Sequence, residues 1–241
     1  SGLRTVYMDG QRNRGVMQNL ATEEERREID DFVQLDGIAV VDRDMALAQL
    51  IAERLRNGVP EFIYVNKVGA HFPVADKFPV AFAHYRPLPP RGASPDITDV
   101  ATLVGTKGTP EEWRLYRNAY RNTLLWNVGT FFDRLLPAIE AKNGVLVYTS
   151  DHGQDLHERG NPGQGAHCSS DPLGEEGAVP LVVIDSAGTP RRDWAAALAA
   201  NRNGMSHFRV FPTLLDLMGY APTEVSPFYG PSLLSAEKDP M

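Results

Sequence analysis

The sequence predicts an α/β protein whose central sheet is mostly parallel and flanked by helices. Three observations carry that prediction. Short apolar, β-rich runs recur at 3–8 (LRTVYM), 61–68 (EFIYVNKV), 145–148 (VLVY) and 178–185 (AVPLVVID). Amphipathic helical stretches stand between them, the order that builds parallel sheets. Two of the runs end in a histidine beside a turn glycine, at Gly69-Ala70-His71 and at Asp151-His152-Gly153. Strand ends on one edge of such a sheet are where its chemistry is placed.

Taken in order, 3–8 reads as a strand ending at Asp9-Gly10. A domain that starts on a core strand suggests a piece of something longer. A helix is expected over 22–35, with Thr22 as cap, Glu25 three residues on, and Ile29, Phe32 and Val33 as the apolar face. Residues 37–41 (GIAVV) read as a short strand. Met45, Leu47, Leu50, Ile51 and Leu55 recur at helical spacing over 43–56, with Gly58-Val59-Pro60 as the stop. The strand at 61–68 follows.

Residues 72–108 contain Pro87, Pro89, Pro90 and Pro95 and show no sustained period, so they read as a long loop. It is either a solvated linker or, given Lys77, His84, Arg86 and Arg91, a lid that meets an anionic head group. Thr109-Pro110-Glu111-Glu112 starts a helix that runs through core aromatics towards Leu136, where Pro137 kinks or ends it. The run at 178–185 is a further buried strand of the parallel type, and 194–200 is helical. Ser206 caps a last helix over 209–218, which makes His207 a helix-entry residue, and 226–241 reads as a tail.

With 241 residues, 42% of them hydrophobic, the chain can bury a full core, and 1–241 is taken as a single domain. A net charge of −7 offers no basic field for nucleic acid. No stretch approaches the ~18 uninterrupted apolar residues of a spanning helix, and Ser1-Gly2-Leu3-Arg4 lacks a signal-peptide pattern. The single Cys168 excludes an internal disulfide and leaves the redox compartment open.

The chemistry concentrates between Gly144 and His167, GVLVYTSDHGQDLHERGNPGQGAH. By residue type alone an Asp-His pair reads as a turn with a solvated histidine. Here three histidines fall within sixteen residues behind a buried strand. Carboxylate oxygen and imidazole nitrogen together suit zinc or manganese, and Gly153 lets the chain turn.

TSDHGQ after a hydrophobic strand, then Glu-x-Gly, a later His and Val179-Pro180-Leu181-Val182-Val183, resembles the sulfatase and alkaline-phosphatase superfamily. Within it the stretch looks most like the membrane-bound phosphoethanolamine and lipoteichoic-acid transferases. The resemblance extends from the first strand to the last helix. It implies that Asp151 and His152 bind the catalytic metal, and that His71 and His167 contact the transferred phosphate or a second metal. It also implies a further metal carboxylate and a Thr or Ser nucleophile, both upstream of the segment that residues 3–9 resemble. No catalytic nucleophile is therefore expected in this chain. Thr149 and Ser150 lie poorly for in-line attack, and Cys168-Ser169-Ser170-Asp171-Pro172 does not fit the Cys-x-Pro/Ala-x-Arg of sulfatases.

The resemblance further implies head-group transfer from a phospholipid donor to a glycan or lipid acceptor. The parent would be membrane-anchored by upstream helices, with this domain on the periplasmic face of a bacterial inner membrane. Hydrolysis of sulfate or phosphodiester, or an inactive domain that binds an anionic group, are the alternatives. With two ligands in hand, this chain alone is expected to bind metal weakly and to turn over little.

Overall fold

A computed structural model describes residues 2–12, 22–92, 109–142, 144–159, 167, 171–186, 193–202 and 204–237. The chain falls into two compact units, Arg4–Ser186 and Ser1–Leu3 with Ala187–Met241.

The first unit is built on β1 (Arg4–Asp9), which lies between β2 (Asp31–Gln34) and β3 (Glu61–Asn66), parallel to both. Alternation along β1 sends Val6 and Met8 into the core. There they join Val33, Ile63 and Val65 beneath two helices, α2 (Val40–Asn57) and α4 (Phe131–Glu140). Met45, Leu47, Ala48 and Ile51 of α2 and Phe131, Leu135 and Ile139 of α4 fill the space between the layers. The opposite side of the sheet carries an aromatic row, with Tyr7 stacked between Phe32 at 5.4 Å and Tyr64 at 5.2 Å.

Several local expectations change in the structure. The helix begun at Thr22 has its capping box, but α1 covers only Glu23–Arg27. The Thr5 amide donates to Asp30 Oδ2 at 2.7 Å and the Asp30 amide to Thr5 Oγ1 at 3.0 Å. That exchange docks the chain on the edge of β1, so Phe32 and Val33 become strand residues. Residues 37–41 are not a strand: Gly37 turns at φ 79° and α2 starts at Val40. Gly58, at φ 76°, ends α2 in the left-handed conformation that favours glycine.

Thr109 caps α3 (Pro110–Leu124) through a full capping box. A π-helical turn at Leu125–Thr130 then joins α3 to α4, which continues past Pro137 to Glu140. A proline this close to a helix end removes little hydrogen bonding. The described part of the proline-rich stretch is no solvated linker. Val74 and Phe78 are buried in the core, and Asn122 Oδ1 accepts the amides of His84 and Tyr85 at 2.8 and 2.9 Å. Residues 93–108 lie outside the described residues.

β4 (Val145–Thr149) leads to the site. After α5 (Gly174–Gly177) the chain returns as β5 (Leu181–Asp185), which pairs with β4 antiparallel, not parallel as its apolar run suggests. An apolar run records burial and leaves strand direction open.

The second unit holds α6 (Trp194–Asn201), capped by Asp193, then a 3-10 turn at His207–Arg209, α7 (Val210–Leu217) and α8 (Pro222–Tyr229). The described part of the expected tail, 226–237, is folded. It contains the end of α8, after which Leu233 is buried with its amide donating to Thr213 Oγ1 at 2.7 Å. No helix among the described residues is long and apolar enough to cross a membrane.

Candidate metal and anion site

The site lies where β3 and β4 end. Beyond β3, Gly69 turns at φ 58° and His71 follows, its amide donating to the Val68 carbonyl at 3.3 Å. His71 Nδ1 sits 2.5 Å from the Phe72 carbonyl, so it carries the proton and leaves Nε2 as the free nitrogen. His152 repeats the arrangement beyond β4, with Nδ1 2.8 Å from the Gly153 carbonyl.

Gly153 serves a close approach more than a turn. Its amide donates to the Glu176 carbonyl at 2.7 Å, and a Cβ there would run into the Glu175 carbonyl and lie 2.9 Å from that of Ala178. The glycine of Asp-His-Gly therefore lets this loop press against α5.

His167 joins the two strand ends. Its ring stacks on His152 at 4.6 Å and tilts against Phe72 at 5.1 Å, while Phe72 stacks on His71 at 4.8 Å. Three of the four sequence-chosen residues are thus linked through Phe72 in one run of rings. The fourth, Asp151, is bound to the His152 amide by Oδ1 at 3.0 Å and is 84% exposed. Burial holds His71 below the ordinary imidazole range, Lys77 and His152 lower it further, and Asp151 opposes them. Burial also lowers His167, followed by the charges of His152 and His71, against Glu176 and Asp151. Both rings are therefore neutral near pH 7, and an arriving anion would favour their protonation.

Asp151 Oδ2 and His152 Nε2 are 3.8 Å apart. Two ligands each about 2.1 Å from a tetrahedral ion lie about 3.4 Å apart, so a small rotation brings this pair into register. Buried His167 Nδ1 has no hydrogen-bond partner among the described residues, which leaves it available to a ligand. No group of three His, Cys, Asp or Glu side chains among those residues is arranged to hold a metal. The donor pair fits half of a tetrahedral shell and no more.

Residues Asp155 to Arg159, polar but for Leu156, brace the loop. His157 adopts φ 53°, stacks on Trp113 of α3 at 3.8 Å, and donates its amide to Asp155 Oδ1 at 2.8 Å. Arg117 Nη1 donates to the Leu156 carbonyl at 3.0 Å. Cys168 lies outside the described residues.

Sequence reasoning missed the neighbours that electrostatics brings in. The Tyr64 hydroxyl is pushed up by burial and then by the charges of Asp151 and Asp9. Buried Asp9 accepts from the Gln11 amide at 2.9 Å and from Asn66 Nδ2 at 3.0 Å. Its place at the end of the first apolar run, as the histidines follow two later ones, was the available signal.

The chain shares its fold with solved phosphoethanolamine transferase domains. The C-terminal periplasmic domain of EcEptC from Escherichia coli matches with a TM-score of 0.69 at 20% identity, over 97% of this chain and 62% of that one. The same domain in complex with Zn also gives 0.69, at 19% identity, over 97% and 62%. The soluble domain of lipooligosaccharide phosphoethanolamine transferase A from Neisseria meningitidis gives 0.65 at 18% identity, over 99% and 69%. The chain thus spans about 62% of the length of the E. coli structures. No curated protein sequence matches significantly. The sulfatase family model, however, matches residues 11–220, most of the chain, and by that match the chain belongs to the sulfatase family.

Proposed function

We propose that this chain carries one face of the active site of a metal-dependent transferase. The enzyme moves a phosphoethanolamine-like head group from a phospholipid to a glycan or lipid acceptor, at the periplasmic side of a bacterial inner membrane. The observation that carries the proposal is the convergence of His71, His152 and His167 with Asp151 at two strand ends. Nucleophile and remaining metal ligands come from outside this chain.

Asp151 and His152 would hold zinc or manganese, with the Gly153 carbonyl keeping His152 Nε2 turned outward. The bound ion would offset charge on the non-bridging phosphoryl oxygens and lower the pKa of a nucleophilic hydroxyl. His71 and His167 meet the phosphoryl oxygens. Each takes up a proton as the anion binds, His71 at Nε2, and then donates it as a charge-assisted hydrogen bond. Phe72 stands between these rings and holds them apart.

The test compares this chain with the longer parent polypeptide, each supplied with zinc or manganese and offered a fluorescent phosphatidylethanolamine, a phosphodiester and an aryl sulfate. Lipid cleavage by the parent alone, abolished by Asp151→Ala, is the expected result. Hydrolysis of the sulfate or diester in its place would make the enzyme a hydrolase. Silence on all three substrates with no metal bound would leave a domain that binds an anionic group.

A further inference from the structure

One buried polar network is used by none of the chemistry above. Asp44 of α2 is fully buried and accepts the amides of Val68 at 2.8 Å and Gly69 at 2.9 Å. Lys67 Nζ lies 3.1 Å from the same carboxylate, 2.9 Å from the Asn127 carbonyl and 3.3 Å above the Phe131 ring. Asn127, also fully buried, donates from Nδ2 to the Gly69 carbonyl at 2.8 Å and to the Lys77 carbonyl at 3.2 Å. Three elements therefore grip the single turn that runs from β3 to His71.

Asn127 stands in the π-helical turn Leu125–Thr130. Such turns cost hydrogen-bond geometry and recur at functional sites. Its Oδ1 is buried without a hydrogen-bond partner among the described residues. An apolar side chain of similar size would pack there and leave no such orphan, but it could not donate to Gly69 and Lys77. What the amide supplies is the fixed placement of two carbonyls, one two residues before His71 and one six residues after it.

We infer that Asn127 is a positioning residue: with Asp44 and Lys67 it fixes the turn that presents His71 to an anionic oxygen. This rests on the reading of His71 as an anion contact. Asn127→Asp is the sharpest probe, because a carboxylate keeps the shape and cannot donate to either carbonyl. Lys67→Gln removes the charge from the other side of the turn and serves should the Asn127 variant fail to fold.

The experiment records the imidazole resonances of histidine-labelled chain by NMR, with and without inorganic phosphate, alongside far-UV circular dichroism. His207, in the other unit, is the internal reference. In both variants the His71 resonances are expected to move while His207 stays in place. Phosphate affinity should fall by about tenfold, the effect of losing one well-placed contact. Unmoved His71 resonances in both folded variants, with only the melting temperature lowered, would overturn the inference. A wild-type chain whose His71 ignores phosphate would instead sink the anion-contact reading, and the phosphate-free spectra would still decide the positioning.

Discussion

The two halves of the site are built differently. The end of β3 is buried and braced by charge: Asp44, Lys67 and Asn127 hold the backbone on which His71 sits. The end of β4 is open. Asp151 is 84% exposed, and backbone contacts from Gly153 to α5 and from Arg117 to the loop keep it in place. One half is finished by folding. The other leaves its carboxylate in solvent, so substitutions should cost stability at β3 and, on the proposed function, binding at β4.

The largest effect should come from Asp44→Ala, which strands Lys67 as a buried charge and frees two amides. A loss of about 3–5 kcal/mol is expected in denaturant unfolding. A loss under 1 kcal/mol would mean that the β3 side is not held by charge.

Gly153→Ala is next and tests whether the open half is structurally indifferent. The added methyl has no room against the Glu175 and Ala178 carbonyls, so about 2–3 kcal/mol should be lost. His152 should lose its stacking on His167, read from its ring resonances. Full stability with an unmoved His152 would show that the loop can lift from α5 freely.

A pH experiment isolates the buried side. The Tyr7 hydroxyl is pushed up to about 12 by burial, then by Asp9 and Tyr64. In the unfolded chain the same group ionises near 10. Between these values the unfolded state holds fewer protons, so stability falls as pH rises. The slope from this group is at most about 1.4 kcal/mol per pH unit. Tyr7→Phe keeps the ring stack and should flatten the curve between those two pH values; an unchanged curve would assign the alkaline loss elsewhere.

The smallest stability effect belongs to Asp151→Asn, within about 0.5 kcal/mol for so exposed a side chain. Zinc titration by calorimetry should nevertheless lose whatever heat the wild-type chain shows. A large stability loss without change in zinc binding would reverse the contrast between the two halves.

Much of the candidate site was legible because Asp151, His152 and His71 stand just after apolar strand runs. Asp151-His152-Gly153 and His71 are each visible as a break from burial to chemistry. Capping boxes at Thr22 and Thr109 were equally plain, since a cap and its acid are three residues apart. The bracing was not legible. Asp44 sits within an apolar helical pattern, and nothing local shows that it points at the amides of residues 68 and 69. Asn127 sits within a helical run, and nothing local marks it as buried or as a donor to residues 69 and 77.

By itself, the sequence determined the caps at Thr22 and Thr109 and most of the apolar strand runs, that histidines beside a carboxylate follow two of those runs, and which family the strand-end motif resembles. These are properties of neighbours along the chain, set by periodicity, caps and turns. Tertiary structure alone decided that β5 returns antiparallel to β4 and that residues 31–34 leave their helix for the sheet. It also set His167 against His152 and buried Leu233 against Thr213. Each of these depends on a partner distant in sequence, whose hydrogen bonds and buried area outweigh the local preference.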